Sequence, residues 1–140
     1  MKQFKTHSEQ ETKEAAYNLA QNTKAHIFAL TGELGAGKTT FVQGFAKGLG
    51  IEDKIISPTF VLIRQHKLPN TPKTLFHVDL YRLEDNPNIK ELGLEELWSD
   101  PNHLVLIEWA EKIDKLLPKE TVRISIQKTG PDKRKLTILS

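Results

Sequence analysis

The sequence predicts an α/β three-layer sandwich: a central, mixed, mostly parallel sheet with antiparallel hairpins added to it. Three observations carry that expectation. Short β-rich runs alternate with helical patterns along the chain. A glycine-rich turn separates an apolar run at 26–31 from a helical stripe that begins near Lys38. Later β-rich runs come in pairs joined by turn chemistry.

The elements follow in order. Ser8-Glu9-Gln10-Glu11 has capping-box spacing, so a helix starts there. Ala15, Ala16, Leu19 and Ala20 give it one apolar face. Residues 26–31 read as a short buried strand, and the helix from about 38 to 49 turns Phe41, Val42, Phe45 and Leu49 to the core. Gly50 suits its C-terminal cap. Ser57-Pro58 breaks the chain before a β-rich run at 59–65. A second run at 74–81 is joined to it through Leu68-Pro69-Asn70-Thr71-Pro72, which predicts a hairpin. Residues 86–98 are mixed, with a short amphipathic helix near 91–98. Residues 104–108 form a continuous apolar strand ending in an acid, and 111–117 a short helix stopped by Pro118. Runs at 121–126 and 136–139 alternate about the turn Thr129-Gly130-Pro131-Asp132. There is no internal repeat, linker or low-complexity tract.

A chain of 140 residues fits one domain, 1–140. At this size roughly two thirds of the unfolded surface is buried on folding, enough for a core without staples. The sequence has no Cys, which excludes a disulfide framework and thiolate metal sites and suits a reducing cytoplasm. The longest apolar runs are far too short to span a bilayer, so a soluble protein with no membrane partner is expected. The formal net charge of +2 neither demands nor excludes an anionic partner. Lys128, Lys133, Arg134 and Lys135 gather near the end, as a solvated hairpin or as a contact to phosphates.

Gly32-Glu33-Leu34-Gly35-Ala36-Gly37-Lys38-Thr39 matches G-x-x-x-x-G-K-[ST]. Glycines allow left-handed backbone and close approach to phosphate oxygens. Successive N–H groups form an anion nest, and the helix opening at Lys38 adds its positive end. Lys38 would reach the β- and γ-phosphates, and the Thr39 hydroxyl would ligate Mg²⁺. Chance produces such a pattern in roughly one chain of this length in a few hundred. Here it also lies between an apolar strand and an amphipathic helix, the arrangement of a P-loop NTPase-like fold. No N-K-x-D or D-x-x-G element of guanine-specific proteins accompanies it, which favours ATP.

A phosphate loop needs an acid to complete its Mg²⁺ site. Glu108, at the C-terminal edge of the 104–108 strand, stands where ligands sit in open α/β sheets. The alternative is an acid that merely leaves the core. In Phe76-His77-Val78-Asp79-Leu80-Tyr81, the residues His77, Asp79 and Tyr81 share a face. If that face looks into the cleft, Asp79 can orient the attacking water or join the Mg²⁺ shell; otherwise it is a surface acid. His77 taken alone reads as structural. Ser57-Pro58-Thr59 reads as a constrained turn, or as a switch that sets a hydroxyl near the γ-phosphate.

Together these segments resemble the TsaE (YjeE) family. The resemblance rests on the loop continued through Thr40-Phe41, on Ser57-Pro58-Thr59-Phe60, His77-Val78-Asp79-Leu80-Tyr81-Arg82, Glu91-Leu92-Gly93-Leu94-Glu95-Glu96 and Ile107-Glu108-Trp109-Ala110-Glu111. It implies an ATPase that supports the TsaB–TsaD pair, which places threonylcarbamoyl on an adenosine of tRNA, and that resets this pair between turnovers. It implies phosphate and Mg²⁺ contacts from Lys38 and Thr39, a metal role for Glu108 and a catalytic role for Asp79. It further implies Thr59 as a switch and Trp109 beside the nucleotide. Glu9, Thr12 and Arg134 would approach the base or ribose. Glu33, Leu34, Gly35, Ala36, Gly37 and Thr40 belong to the cradle. The tRNA would be engaged at least indirectly.

Two other readings compete. A small P-loop kinase of a metabolite would need an arginine-rich lid. The chain has only Arg64, Arg82, Arg123 and Arg134, and no segment reads as a lid. A nucleotide-sensing interaction module would bind ATP without useful hydrolysis.

Overall fold

A computed structural model of the chain describes residues 2–33, 35–52, 63–81 and 93–139. Leu34, the Ser57-Pro58-Thr59 turn and Arg82 lie outside the described residues, as does most of the segment 86–98. The elements are β1 (Lys2–Thr6), α1 (Glu9–Asn22), β2 (Ile27–Thr31), α2 (Lys38–Gly48), β3 (Ile63–Lys67) and β4 (Thr74–Asp79). Then come α3 (Leu94–Ser99), β5 (His103–Glu108), a 3₁₀ helix (Ala110–Leu116), β6 (Val122–Lys128) and β7 (Arg134–Leu139).

The described strands form one sheet in the order β1-β7-β6-β2-β5-β4-β3. Its centre is parallel: β6, β2, β5 and β4 run the same way. Both margins are antiparallel, with β3 paired to β4 on one side and the β6–β7 hairpin plus β1 on the other. The expected α/β architecture and both expected hairpins are present. Strand β1 has no forerunner in the sequence pattern. Its segment, Lys-Gln-Phe-Lys-Thr, holds one apolar residue and carries no usable alternation. It is a strand because it pairs with β7, Phe4 opposite Leu136.

Helices cover both faces, unequally. On one face α1 and α2 pack over Phe28, Leu30, Leu106, Ile124, Ile126 and Leu136. On the other, α3 and the 3₁₀ helix set Leu94, Ala110 and Ile113 against Phe76, Val78, Val105 and Ile107. Pairwise ring contact between Phe28 and Phe45, at 4.9 Å and edge-on, ties β2 to α2. Such a pair adds about 1 kcal/mol beyond its buried area.

Local chemistry sets the ends of these helices. Ser8 caps α1, its Oγ accepting from the Glu11 N–H at 3.1 Å. The Glu11 carboxylate reaches back to the His7 N–H at 3.0 Å, one residue earlier than the usual capping box. At the end of α2, Ile51 N–H bonds Ala46 O and Gly50 N–H bonds Lys47 O, with Gly50 at φ 86°, a Schellman stop. Gly44 and Gly48 face α1 directly. A Cβ at Gly44 would stand 2.3 Å from the Lys13 carbonyl oxygen, and one at Gly48 would stand 2.5 Å from that of Tyr17. The two helices therefore meet backbone to backbone. The segment after β5 differs from the helix expected at 111–117. Its buried residues Ala110 and Ile113 are three apart, which suits three residues per turn, and Ile113 (φ −128°) breaks the regular helix. No helix among the described residues is long and apolar enough to cross a membrane.

Candidate active site

Strand β2 ends at Thr31 and the chain turns through Gly32, Gly35 and Gly37, at φ 154°, 81° and 103°. Gly32 has a second reason to lack a side chain: a Cβ there would lie 2.6 Å from the Ile126 carbonyl oxygen on β6. Gly37 is the N-cap of α2 and offers no side chain to its first turn. The leading N–H groups of that helix are thus left for an acceptor from outside. One amide of the expected cradle is used within the loop, Ala36 N–H bonding Glu33 O at 3.0 Å.

Lys38 opens α2 and is buried, 6% exposed. Its ammonium donates to the Gly32 carbonyl and lies 3.4 Å from the centre of the Trp109 ring. Burial lowers its pKa from the ordinary lysine value; the charges of Glu108, Glu111 and Asp79 oppose that shift. Trp109 follows β5 in left-handed backbone, φ 60°, and also packs on Tyr81 with ring centres 5.1 Å apart.

The acids arrive on neighbouring parallel strands. Asp79 pairs with Glu108 and His77 with Leu106 in the β4–β5 register. By the two-residue period, His77 and Asp79 share the α2 side of the sheet with Leu75, while Leu104, Leu106 and Glu108 line the same side of β5. Both carboxylates are buried. Glu108 Oε2 meets His77 Nε2 at 2.5 Å. Asp79 Oδ1 accepts from the Tyr81 N–H at 2.9 Å. Tyr81, expected on the same strand face, lies past the end of β4 and is exposed.

A cleft at the other end of the loop is lined by Glu9, Thr12, Gly37, Thr40, Asp132 and Arg134. It joins the first turns of α1 and α2 to the β6–β7 hairpin, so Glu9, Thr12, Thr40 and Arg134, far apart in sequence, do meet. Two of them are partly committed already. The Thr12 hydroxyl bonds that of Thr6 at 2.7 Å. Arg134 donates from Nε to Ala36 O at 2.7 Å and from Nη1 to the carbonyls of Gly130, Pro131 and Lys133. Arg134 thereby pins the hairpin to the glycine loop, whereas Lys128 and Lys133 are solvated. Three groups at the site were not foreseen from sequence: Asp132 in the cleft, Glu111 beside Lys38, and His77 as the partner of Glu108.

This geometry has close counterparts. Residues 6–136 match the family model described as threonylcarbamoyl adenosine biosynthesis protein TsaE. The chain belongs to the TsaE family. It is 42% identical over 140 residues to the tRNA threonylcarbamoyladenosine biosynthesis protein TsaE of Bacillus subtilis, covering 98% of this chain and 85% of that one. The Rickettsia conorii protein of the same name is 42% identical over 135 residues, 95% of this chain and 75% of the other. The crystal structure of YdiB from Bacillus subtilis superimposes with a TM-score of 0.79 at 36% identity, covering 98% of this chain and 83% of that one.

Within this TsaE-family site the donors a metal could use are hard oxygens: the Glu108 and Asp79 carboxylates at the ends of β5 and β4 and the Thr39 hydroxyl at the first turn of α2. Among the described residues no group of three His, Cys, Asp or Glu side chains could hold an ion by itself. A carboxylate and a hydroxyl are the sparse protein share that Mg²⁺ takes when phosphates and water supply the remaining ligands. The residues present fit that ion.

Proposed function

We propose that this TsaE-family chain is a single-domain, cytoplasmic, Mg²⁺-dependent ATPase of tRNA threonylcarbamoyladenosine biosynthesis, which supports TsaB and TsaD and resets their complex between turnovers. One observation carries the ATPase reading. Lys38, at the mouth of a glycine loop, sits among Glu108, Asp79 and Glu111 at the C-terminal edge of parallel strands.

In this reading each group has a role. The backbone from Glu33 through Gly37, with Thr40, receives the phosphates, and Lys38 leaves the Gly32 carbonyl to join them. Thr39 and Glu108 would hold Mg²⁺, which when bound neutralises phosphate charge. Asp79 orients the attacking water, and Thr59 supplies a hydroxyl near the γ-phosphate. Trp109 flanks the phosphate end, while Glu9, Thr12 and Arg134 border the base and ribose. Catalysis of this kind is positioning and charge stabilisation, without a covalent intermediate.

The test is reconstitution of tRNA modification with TsaB, TsaD and the threonylcarbamoyl-adenylate donor, over several turnovers. Omitting this chain should stop modification after about one turnover. Adding TsaB and TsaD should accelerate ATP hydrolysis. Modification that continues undiminished without this chain, or a labelled acceptor phosphorylated from ATP, overturns the reading.

A further inference from the structure

The His77–Glu108 contact has no place in the roles just given. His77 is wholly buried. Nε2 meets the carboxylate, and Nδ1 is buried with no hydrogen-bond partner among the described residues. A carboxylate oxygen only accepts, so Nε2 carries a proton and donates it to Glu108 Oε2. The residues are 31 apart in sequence and are brought together by the parallel register, in which Leu106 is the neighbour of His77 and Glu108 that of Asp79.

We infer that His77 is a positioning residue, which fixes the Glu108 carboxylate through Oε2 so that Oε1 is presented to the metal. Histidine commonly acts as a metal ligand held in place by a carboxylate; here the order is inverted, with the carboxylate as ligand and the imidazole as its support. The arrangement restricts Glu108 before any nucleotide arrives. The inference rests on the metal role proposed for Glu108.

The experiment compares ATP affinity with and without Mg²⁺, by calorimetry on the full chain, for wild type, His77→Asn, His77→Gln and Glu108→Gln. The glutamine amide nitrogen can reach the place of Nε2; the asparagine side chain is too short. His77→Asn should lower the Mg²⁺-dependent gain in affinity by about 10- to 100-fold, the usual effect of losing a ligand's support. Its Mg²⁺-free affinity should be unchanged, and His77→Gln should restore most of the gain. Glu108→Gln separates the two claims. If it leaves the Mg²⁺ gain intact, the metal role itself fails. If it abolishes the gain while His77→Asn does not, the positioning role alone fails. Nitrogen-15 spectra of the wild type give a reading that needs no variant to fold: a ring without a proton on Nε2 near neutral pH overturns the inference.

Discussion

The helix pair and the carboxyl edge of the sheet lie within one small fold but are built on opposite terms. Where α1 meets α2, small residues let the backbones touch and the buried side chains are apolar. At the carboxyl ends of β4 and β5, Lys38, His77, Asp79 and Glu108 are all buried. They make up four of the eight buried polar or charged residues described, so the awkward burial is concentrated in one place. There burial lowers the pKa of Lys38, and His77 Nδ1 has no hydrogen-bond partner among the described residues. The first region serves stability; the second holds groups that a better-packed core would exclude.

Substitutions can break that contrast or sharpen it. The largest effect is expected at the edge. Glu108→Gln should reduce ATP turnover by about 1,000-fold, roughly 4 kcal/mol, while the melting temperature moves by only a few degrees. Steady-state hydrolysis beside calorimetric melting checks both halves. Gly44→Ala should show the reverse. Its methyl would overlap the Lys13 backbone, costing about 3 kcal/mol by overpacking. Denaturant unfolding should show that loss, with nucleotide affinity per folded molecule retained. Ser8→Ala removes the cap of α1 and should cost about 1 kcal/mol in the same measurement.

The smallest shift in stability is expected at Lys38, and its sign is the informative part. Lys38→Met removes a buried ammonium and should leave the nucleotide-free protein as stable as wild type or slightly more so, even as phosphate affinity is lost. The pH dependence follows from the lowered pKa. Between the folded value and the ordinary 10.5, the unfolded chain binds more protons than the folded one, so wild-type stability rises with pH relative to the methionine variant. A clear fall in melting temperature for Lys38→Met at neutral pH would mean that the surrounding acids need this cation for folding, and the contrast would collapse.

Much of this was legible in the chain itself. The glycine loop, the α2 stripe, the apolar strand ending in Glu108 and both hairpins each have a local signature, because turn chemistry and periodicity act over a few residues. Strand β1 was not legible, because pairing with β7 creates it rather than its own composition. The support of Glu108 by His77 was equally hidden. It depends on the stagger of two parallel strands, which no local pattern records. The kink at Ile113 and the left-handed backbone of Trp109 likewise arise from what those segments pack against.

The glycine contact between α1 and α2 reaches beyond packing. Glu9 and Thr12 form one wall of a cleft whose other wall begins with Gly37 and Thr40, and the walls are joined by the seam at Gly44 and Gly48. An amino-terminal trim that took α1 away would therefore do more than shorten the chain. It would strip the flank of α2 at Gly44 and Gly48 and leave the glycine loop facing a half-open furrow.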